Sequence, residues 1–330
     1  MRRKLIGFLI CAMLITTFFT IAAPAENKVT NRQRANPLPM TSQVDVPVWD
    51  INDQWVYTID DTTIAFDQNG TVFNLYLTID DLPLTVKAVN ETVYTVGFET
   101  SVSGHSNFDG DLGGGPINVT IAFSKLQLSG DVFFEKSSLG IKGFSGSLNG
   151  RFWVKINKQP WLPIQWFPKL PMKIAMDLTS DFTTPISPLT FPLNDSMIWN
   201  LSATNLTLNG EVRSPWLYIM LFINSLYEFI PPEIAALLPV INIEEALTVL
   251  GPGNIISLPM IPGAFFCMNT EPVSVPAGTF DAYNISILNG TARCFYAPAV
   301  GNILKLSGNI QDLIPFVTNI NMELKSTTFS

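Results

Sequence analysis

From Val46 onward, hydrophobic and polar positions alternate with a period of two. Trp55, Tyr57 and Ile59 fall on one side of a strand, with Gln54, Thr58 and Asp60 near the other. Phe73, Leu75, Leu77 and Ile79 alternate with Val72, Asn74, Tyr76 and Thr78, and Ile117, Val119, Ile121 and Phe123 with Asn118, Thr120, Ala122 and Ser124. Leu126 and Leu128, then Val132 and Phe134, continue the pattern across Ser129-Gly130-Asp131. Successive side chains of a strand point to opposite faces, so such runs predict antiparallel strands with one buried face. Asn69-Gly70, Asn149-Gly150, Asn209-Gly210 and Asn289-Gly290 are read as hairpin turns. Further strands are expected over 172–182, 264–270, 278–288, 291–296 and 302–310, with 317–324 closing the sheet.

A helical pattern stands out in one place. Ser214 is a good N-cap and Pro215 suits the first helical position. From 216 to 230, 12 of 15 residues are apolar, and Pro231-Pro232 ends the run. At about 22 Å this helix is too short for the ~30 Å hydrocarbon core of a bilayer. It is expected to be a core helix, a lid over a hydrophobic concavity, or a face touching lipid. Asn242 and Glu245 start another short helix in capping-box fashion, ended by Gly251-Pro252-Gly253.

These patterns divide the chain into a signal peptide at 1–25, a polar leader at 26–44, an antiparallel β-domain at 45–187, and a β-domain at 188–330 carrying a helical insertion at 215–250. The signal peptide rests on Arg2, Arg3 and Lys4, the apolar stretch 5–23, and the small residues Ala23-Pro24-Ala25; an uncleaved anchor is the alternative. The boundary near 188 rests on proline-rich stretches at 159–171 and 185–192. It also rests on two similar openings, Pro47-Val48-Trp49-Asp50-Ile51-Asn52-Asp53-Gln54-Trp55 and Phe191-Pro192-Leu193-Asn194-Asp195-Ser196-Met197-Ile198-Trp199.

Composition narrows the function classes. The chain is 47% hydrophobic and 14% charged, too apolar for disorder. Its net charge of −8, with no basic block, argues against a nucleic-acid partner. Cleavage after Ala25 would shift that charge to −11 and leave Cys267 and Cys294 as the two cysteines. Two cysteines in an exported chain are expected to form a disulfide. Eight glycosylation sequons, at Asn69, Asn90, Asn118, Asn194, Asn200, Asn205, Asn284 and Asn289, fit a glycoprotein at an external surface.

The block Val275-Pro276-Ala277-Gly278-Thr279-Phe280-Asp281-Ala282-Tyr283, followed by Tyr296-Ala297-Pro298-Ala299-Val300-Gly301-Asn302-Ile303-Leu304-Lys305, resembles the "v-p-A-G-t-F-x-a-y … Y-x-P-x-V-G" block of uncharacterised exported prokaryotic envelope proteins, the TapB-like group among them. Both openings resemble the starts of such proteins, without the glycine of the opening turn. The resemblance implies a curved antiparallel sheet akin to the lipoprotein-carrier half-barrels, and it brings no catalytic residues.

The catalytic signals are thin. Asn107, Asp109 and Asp111, in a Gly-rich stretch read as a loop, have alternate oxygens suited to Ca²⁺, but Leu112 stands where the calcium loop needs glycine. His105, the single imidazole, is read as an exposed loop residue. Asp60-Asp61 and Asp80-Asp81 are read as strand ends. No catalytic residue, metal or cofactor is therefore expected, and an enzyme ranks third. The fold class expected is mainly β, a half-barrel or open barrel of curved antiparallel sheet with a short apolar helical insertion. The function expected is an exported envelope protein, secreted or on the cell surface, that binds or carries a lipid-like ligand. Trp216, Ile219, Met220, Ile223 and Phe229 are its candidate lining, and contact with a membrane surface is one reading of that helix. The alternative is a glycosylated surface protein with a filled interior.

Overall fold

The alternating runs become strands far longer than the five or six residues usual in globular proteins. The computed structural model describes residues 44–68, 71–111, 116–158, 169–213, 254–313 and 317–329. The first half contains β1 (Gln54–Gln68), β2 (Thr71–Val89), β3 (Val93–Asp111), β4 (Pro116–Glu135), β5 (Ile141–Lys158) and β6 (Leu170–Ile186). The second half contains β7 (Ile198–Leu201), β8 (Thr204–Arg213), β9 (Asn254–Leu258), β10 (Ile261–Val275), β11 (Gly278–Ile287), β12 (Ala292–Ala297), β13 (Asn302–Gly308) and β14 (Val317–Thr327). The signal peptide, most of the leader and the helical insertion at 215–250 lie outside the described residues.

All fourteen strands belong to one antiparallel sheet in the order β7-β10-β11-β12-β13-β14-β1-β2-β3-β4-β5-β6-β8-β9. The expected boundary near 188 falls between β6 and β7, and the strands on either side of it are joined edge to edge. β14 hydrogen-bonds β1 from Trp55↔Thr327 to Ile64↔Val317. The end of the leader also meets the second opening, through an isolated bridge between Val44 and Leu193.

Chain continuity bends this sheet. β7 and β8 stand twelve inter-strand spacings apart in the order, about 58 Å on a flat sheet at ~4.8 Å per spacing. Yet only Ser202 and Ala203 separate Leu201 from Thr204, and three extended residues span at most about 11 Å. Likewise only Pro259 and Met260 separate β9 from β10. The sheet is therefore rolled until its two edges stand together. Among the described residues no ladder joins β7 to β8 or β9, so it is an open sheet held at its seam by two short stretches of chain. Beside the seam, Thr204 at the start of β8 is fastened to β6: its hydroxyl donates to the Thr184 carbonyl at 2.8 Å and accepts from the Thr184 N–H at 3.0 Å.

One end of the roll is packed solid. Trp49 lies at 5.2 Å from both the Trp55 and Tyr94 rings and meets Phe134 edge-on at 5.4 Å. The indole N–H groups of Trp49 and Trp55 donate to the Gly301 and Val300 carbonyls at 3.1 and 2.7 Å. The Tyr57 hydroxyl donates to the Ile303 carbonyl. These bonds tie β1 to the β12–β13 turn and join both halves in one core. Gly301 is required there: its φ is +66°, and a Cβ would lie 2.6 Å from the Phe329 ring.

Several expected turns are strand interior instead. Asn149-Gly150 lies within β5, Asn209-Gly210 within β8 and Gly130 within β4. At Gly130 the reason is a close approach, since a Cβ would lie 2.2 Å from the Ser145 carbonyl oxygen and 2.8 Å from the Phe98 ring. Asn289-Gly290 does turn the chain between β11 and β12, and Gly278 and Gly301 sit at positive φ in the turns that lead into β11 and β13.

Asp60-Asp61 and Asp80-Asp81 do not end strands. They are bulges inside β1 and β2. β1 advances three residues from Ile59 to Thr62 while β2 advances two from Ile79 to Leu77. β2 advances three from Ile79 to Leu82 while β1 advances two. β4 carries its extra residue at Ser124-Lys125, three residues from Phe123 to Leu126 against two on β3. The bulges form a belt across the sheet. Below it the buried positions are Trp55, Tyr57 and Ile59, or Leu82 and Leu84; above it the phase switches to Thr62 and Ile64, or Leu75. An extra residue moves all that follow to the opposite face, so the bulges keep one face apolar along the whole strand.

Candidate functional site

Above the belt, β1–β6 extend past the packed base as a tall wall. Register places Ile64, Leu75, Ser106, Ile121 and Val154 in one row across five strands, on the inner face. A second row runs Thr62, Leu77, Gly104, Phe123. Ile64, Leu75, Thr62 and Ser106 are buried, while Leu77, Ile121, Phe123 and Val154 are half-buried. A Cβ at Gly104 would lie 2.8 Å from the Phe123 ring, which lies across that glycine. The outer face is polar. Asn157 Nδ2 donates to Asn118 Oδ1 and Thr120 Oγ1, both at 2.7 Å, and His105 stacks on Tyr76 at 4.7 Å. His105 is exposed, as expected, but it lies in β3 rather than in a loop.

The apolar interior contains polar groups with nothing to bond. The hydroxyls of Thr62, Ser106, Ser180 and Tyr296, the Trp199 indole N–H and Asn284 Oδ1 are buried without a partner. Each such group costs about 1–3 kcal/mol. All six are uncharged. Thr62 and Ser106 lie on the wall above the belt, at 0% and 1% exposure. Sequence reading missed both. The available signal was a hydroxyl residue at a core-phase position; for Thr62 the bulge at Asp60-Asp61 shifts that phase, whereas Ser106 keeps the even phase of Tyr94, Val96, Phe98 and Val102 on β3.

The expected disulfide is absent: Cys267 and Cys294 are free buried thiols. Register explains why. Cys267 on β10 pairs with Ile285 on β11, which pairs with Cys294 on β12. Two strand spacings put the cysteine backbones roughly 10 Å apart, beyond the ~7 Å a disulfide can bridge. Burial pushes both thiols up to about 12, with Asp195 adding to the effect at Cys267.

Asn107, Asp109 and Asp111 lie in β3, not in a loop. Alternate residues of a strand are about 6.8 Å apart and parallel in direction, which spreads the exposed Asn107 and Asp109 side chains along an outer face instead of converging them on an ion. Among the described residues, no group of three or more His, Cys, Asp and Glu side chains is placed to hold a metal. Trp216, Ile219, Met220, Ile223 and Phe229 lie outside the described residues. Also among the described residues, no helix is long and apolar enough to cross a membrane.

Compared with known protein families, curated proteins and solved structures, the chain gives no match. The segment resembling the envelope-protein block forms the β10–β11 hairpin, β12 and the turn into β13. It sits at the packed base, where Val300 and Gly301 receive the Trp55 and Trp49 bonds.

Proposed function

We propose that the chain is an exported protein that binds or carries a lipid-like hydrophobic ligand on the inner face of the rolled sheet. The observation that carries this reading is the wall above the bulge belt. Its inner face keeps the apolar rows of the base, yet Leu77, Ile121, Phe123 and Val154 are only half-buried. Ligand sites are concave and largely apolar, with few polar groups, and this face has that composition. Three bulges maintain it, though a strand facing water would not need them. The amino-terminal export pattern and the envelope-protein resemblance support the same reading.

Titration of the purified protein with an uncharged environment-sensitive dye tests it. The dye should shift to the blue and be displaced by long-chain lipids. Replacing Ile121 by Asp, within the row, should abolish the shift while the melting temperature stays close to that of the parent chain. Saturable dye binding that survives this substitution would place the site elsewhere. No binding at all would favour a glycosylated surface protein with a filled interior.

A further inference from the structure

We propose that the ligand is a neutral lipid carrying oxygen, of the alcohol, ester, ether or quinone class, and that the hydroxyls of Thr62 and Ser106 are its hydrogen-bonding contacts. The inference rests on the reading that the inner face holds a lipid, and it adds the chemistry of that lipid. Both hydroxyls are buried, 0% and 1% exposed, and neither has a partner. Register puts both on the inner face: Thr62 is two residues from Ile64 and paired with Leu77, and Ser106 is paired with Leu75 and Ile121.

The surroundings select against charge. Thr62, Ile64, Leu75, Leu77, Ser106 and Ile121 include no ionisable side chain. The acidic pairs Asp60-Asp61 and Asp80-Asp81 are exposed at the bulges. A carboxylate or phosphate drawn onto this face would lose its water and find no cation among these residues, which is far costlier than burying a neutral oxygen. A pure hydrocarbon fails for the opposite reason: it leaves both hydroxyls unpaired, and sites built to bond an oxygen reject analogues lacking it. A neutral oxygen avoids both penalties. The two positions are separated by two strands and two residues, about 12 Å along the sheet. Each hydroxyl therefore meets its own oxygen, and the two contacts contribute separately.

The test is displacement of the uncharged dye from the full mature chain by three probes of equal chain length at pH 8: hexadecanol, palmitate and hexadecane. Hexadecanol should bind at least tenfold tighter than palmitate or hexadecane. Thr62→Val and Ser106→Ala should each reduce the preference for hexadecanol over hexadecane several-fold, and the double variant should abolish it, with hexadecane affinity unchanged. Thr62→Ser should restore the preference. Palmitate binding as tightly as hexadecanol would overturn the neutral-ligand assignment. So would a preference that survives the double variant. The probe comparison on the unmodified chain stands even if a variant fails to fold. If the dye and all three probes fail to bind, the lipid-binding function itself fails; if they bind without discrimination, only its chemistry does.

Discussion

At the scale of single residues, the buried polar groups decide how the molecule behaves. Trp55 is 1% exposed and donates to the Val300 carbonyl. Trp55→Phe keeps a ring but orphans that carbonyl and opens space, so urea unfolding should show a loss of about 2–4 kcal/mol. The thiols make a second prediction. The folded state holds the protons of Cys267 and Cys294 up to about pH 12, while the unfolded chain releases them near the ordinary value of 9.0. The stability they contribute is therefore full below pH 9 and lost as pH rises toward 12. Tyr57, whose hydroxyl burial also pushes well up, acts in the same direction. Melting temperature should fall steadily across that window. Reduction should leave the mass unchanged, and iodoacetamide should label both thiols only after unfolding. The sequence showed two cysteines but not their spacing across strands. A disulfide depends on which strands are neighbours, and the interposed β11 is a fact of topology that no local pattern carries.

At the scale of elements, the strands were legible and the bulges were not. Alternation located β10 to β14 within a few residues but not β7, β8 and β9, and the turns at Gly278, Asn289-Gly290 and Gly301 formed where glycine or asparagine tolerates positive φ. The Asn-Gly pair inside β5 misled because glycine also permits close approach between strands, a Cβ at Gly150 lying 2.6 Å from the Leu126 side chain, and one sequence cannot separate the two uses. The doubled carboxylates were informative in a way that only the phase switch reveals. Asp60-Asp61 and Asp80-Asp81 are adjacent residues that both face water, and the buried positions change from odd to even across the first pair. Deleting Asp61 should return Thr62 and Ile64 to the outer face and swing polar Thr63 inward. The deletion variant should lose cooperative unfolding or aggregate, whereas Asp61→Asn should change stability by less than about 1 kcal/mol. The junction of β6 with β8 is subject to a similar test. Thr204→Val removes two hydroxyl bonds to the Thr184 backbone and should cost about 1–3 kcal/mol by urea denaturation.

At the scale of the whole molecule, the two halves were expected as separate domains but share one rolled sheet. Each half opens similarly and has its own strand series, so its sequence reads as self-contained. The contacts that unite them, β1 with β14 and Val44 with Leu193, are distant in sequence and leave no local trace. The roll also sorts the sequons. Asn90, Asn194 and Asn289 are exposed, whereas Asn284 is 2% exposed with its amide donating to Glu271 at 2.9 Å. In a host that glycosylates exported proteins, glycopeptide mapping should find glycan at the first three and none at Asn284. The proposed function requires that the apolar inner face above the belt hold a lipid. Native mass spectrometry of the mature protein, before and after organic extraction, tests it most directly. A noncovalent excess of several hundred daltons is expected, which extraction removes and which reappears as a neutral lipid in the organic phase. A mass equal to the polypeptide plus covalent glycan, unchanged by extraction and by incubation with lipid, would contradict it.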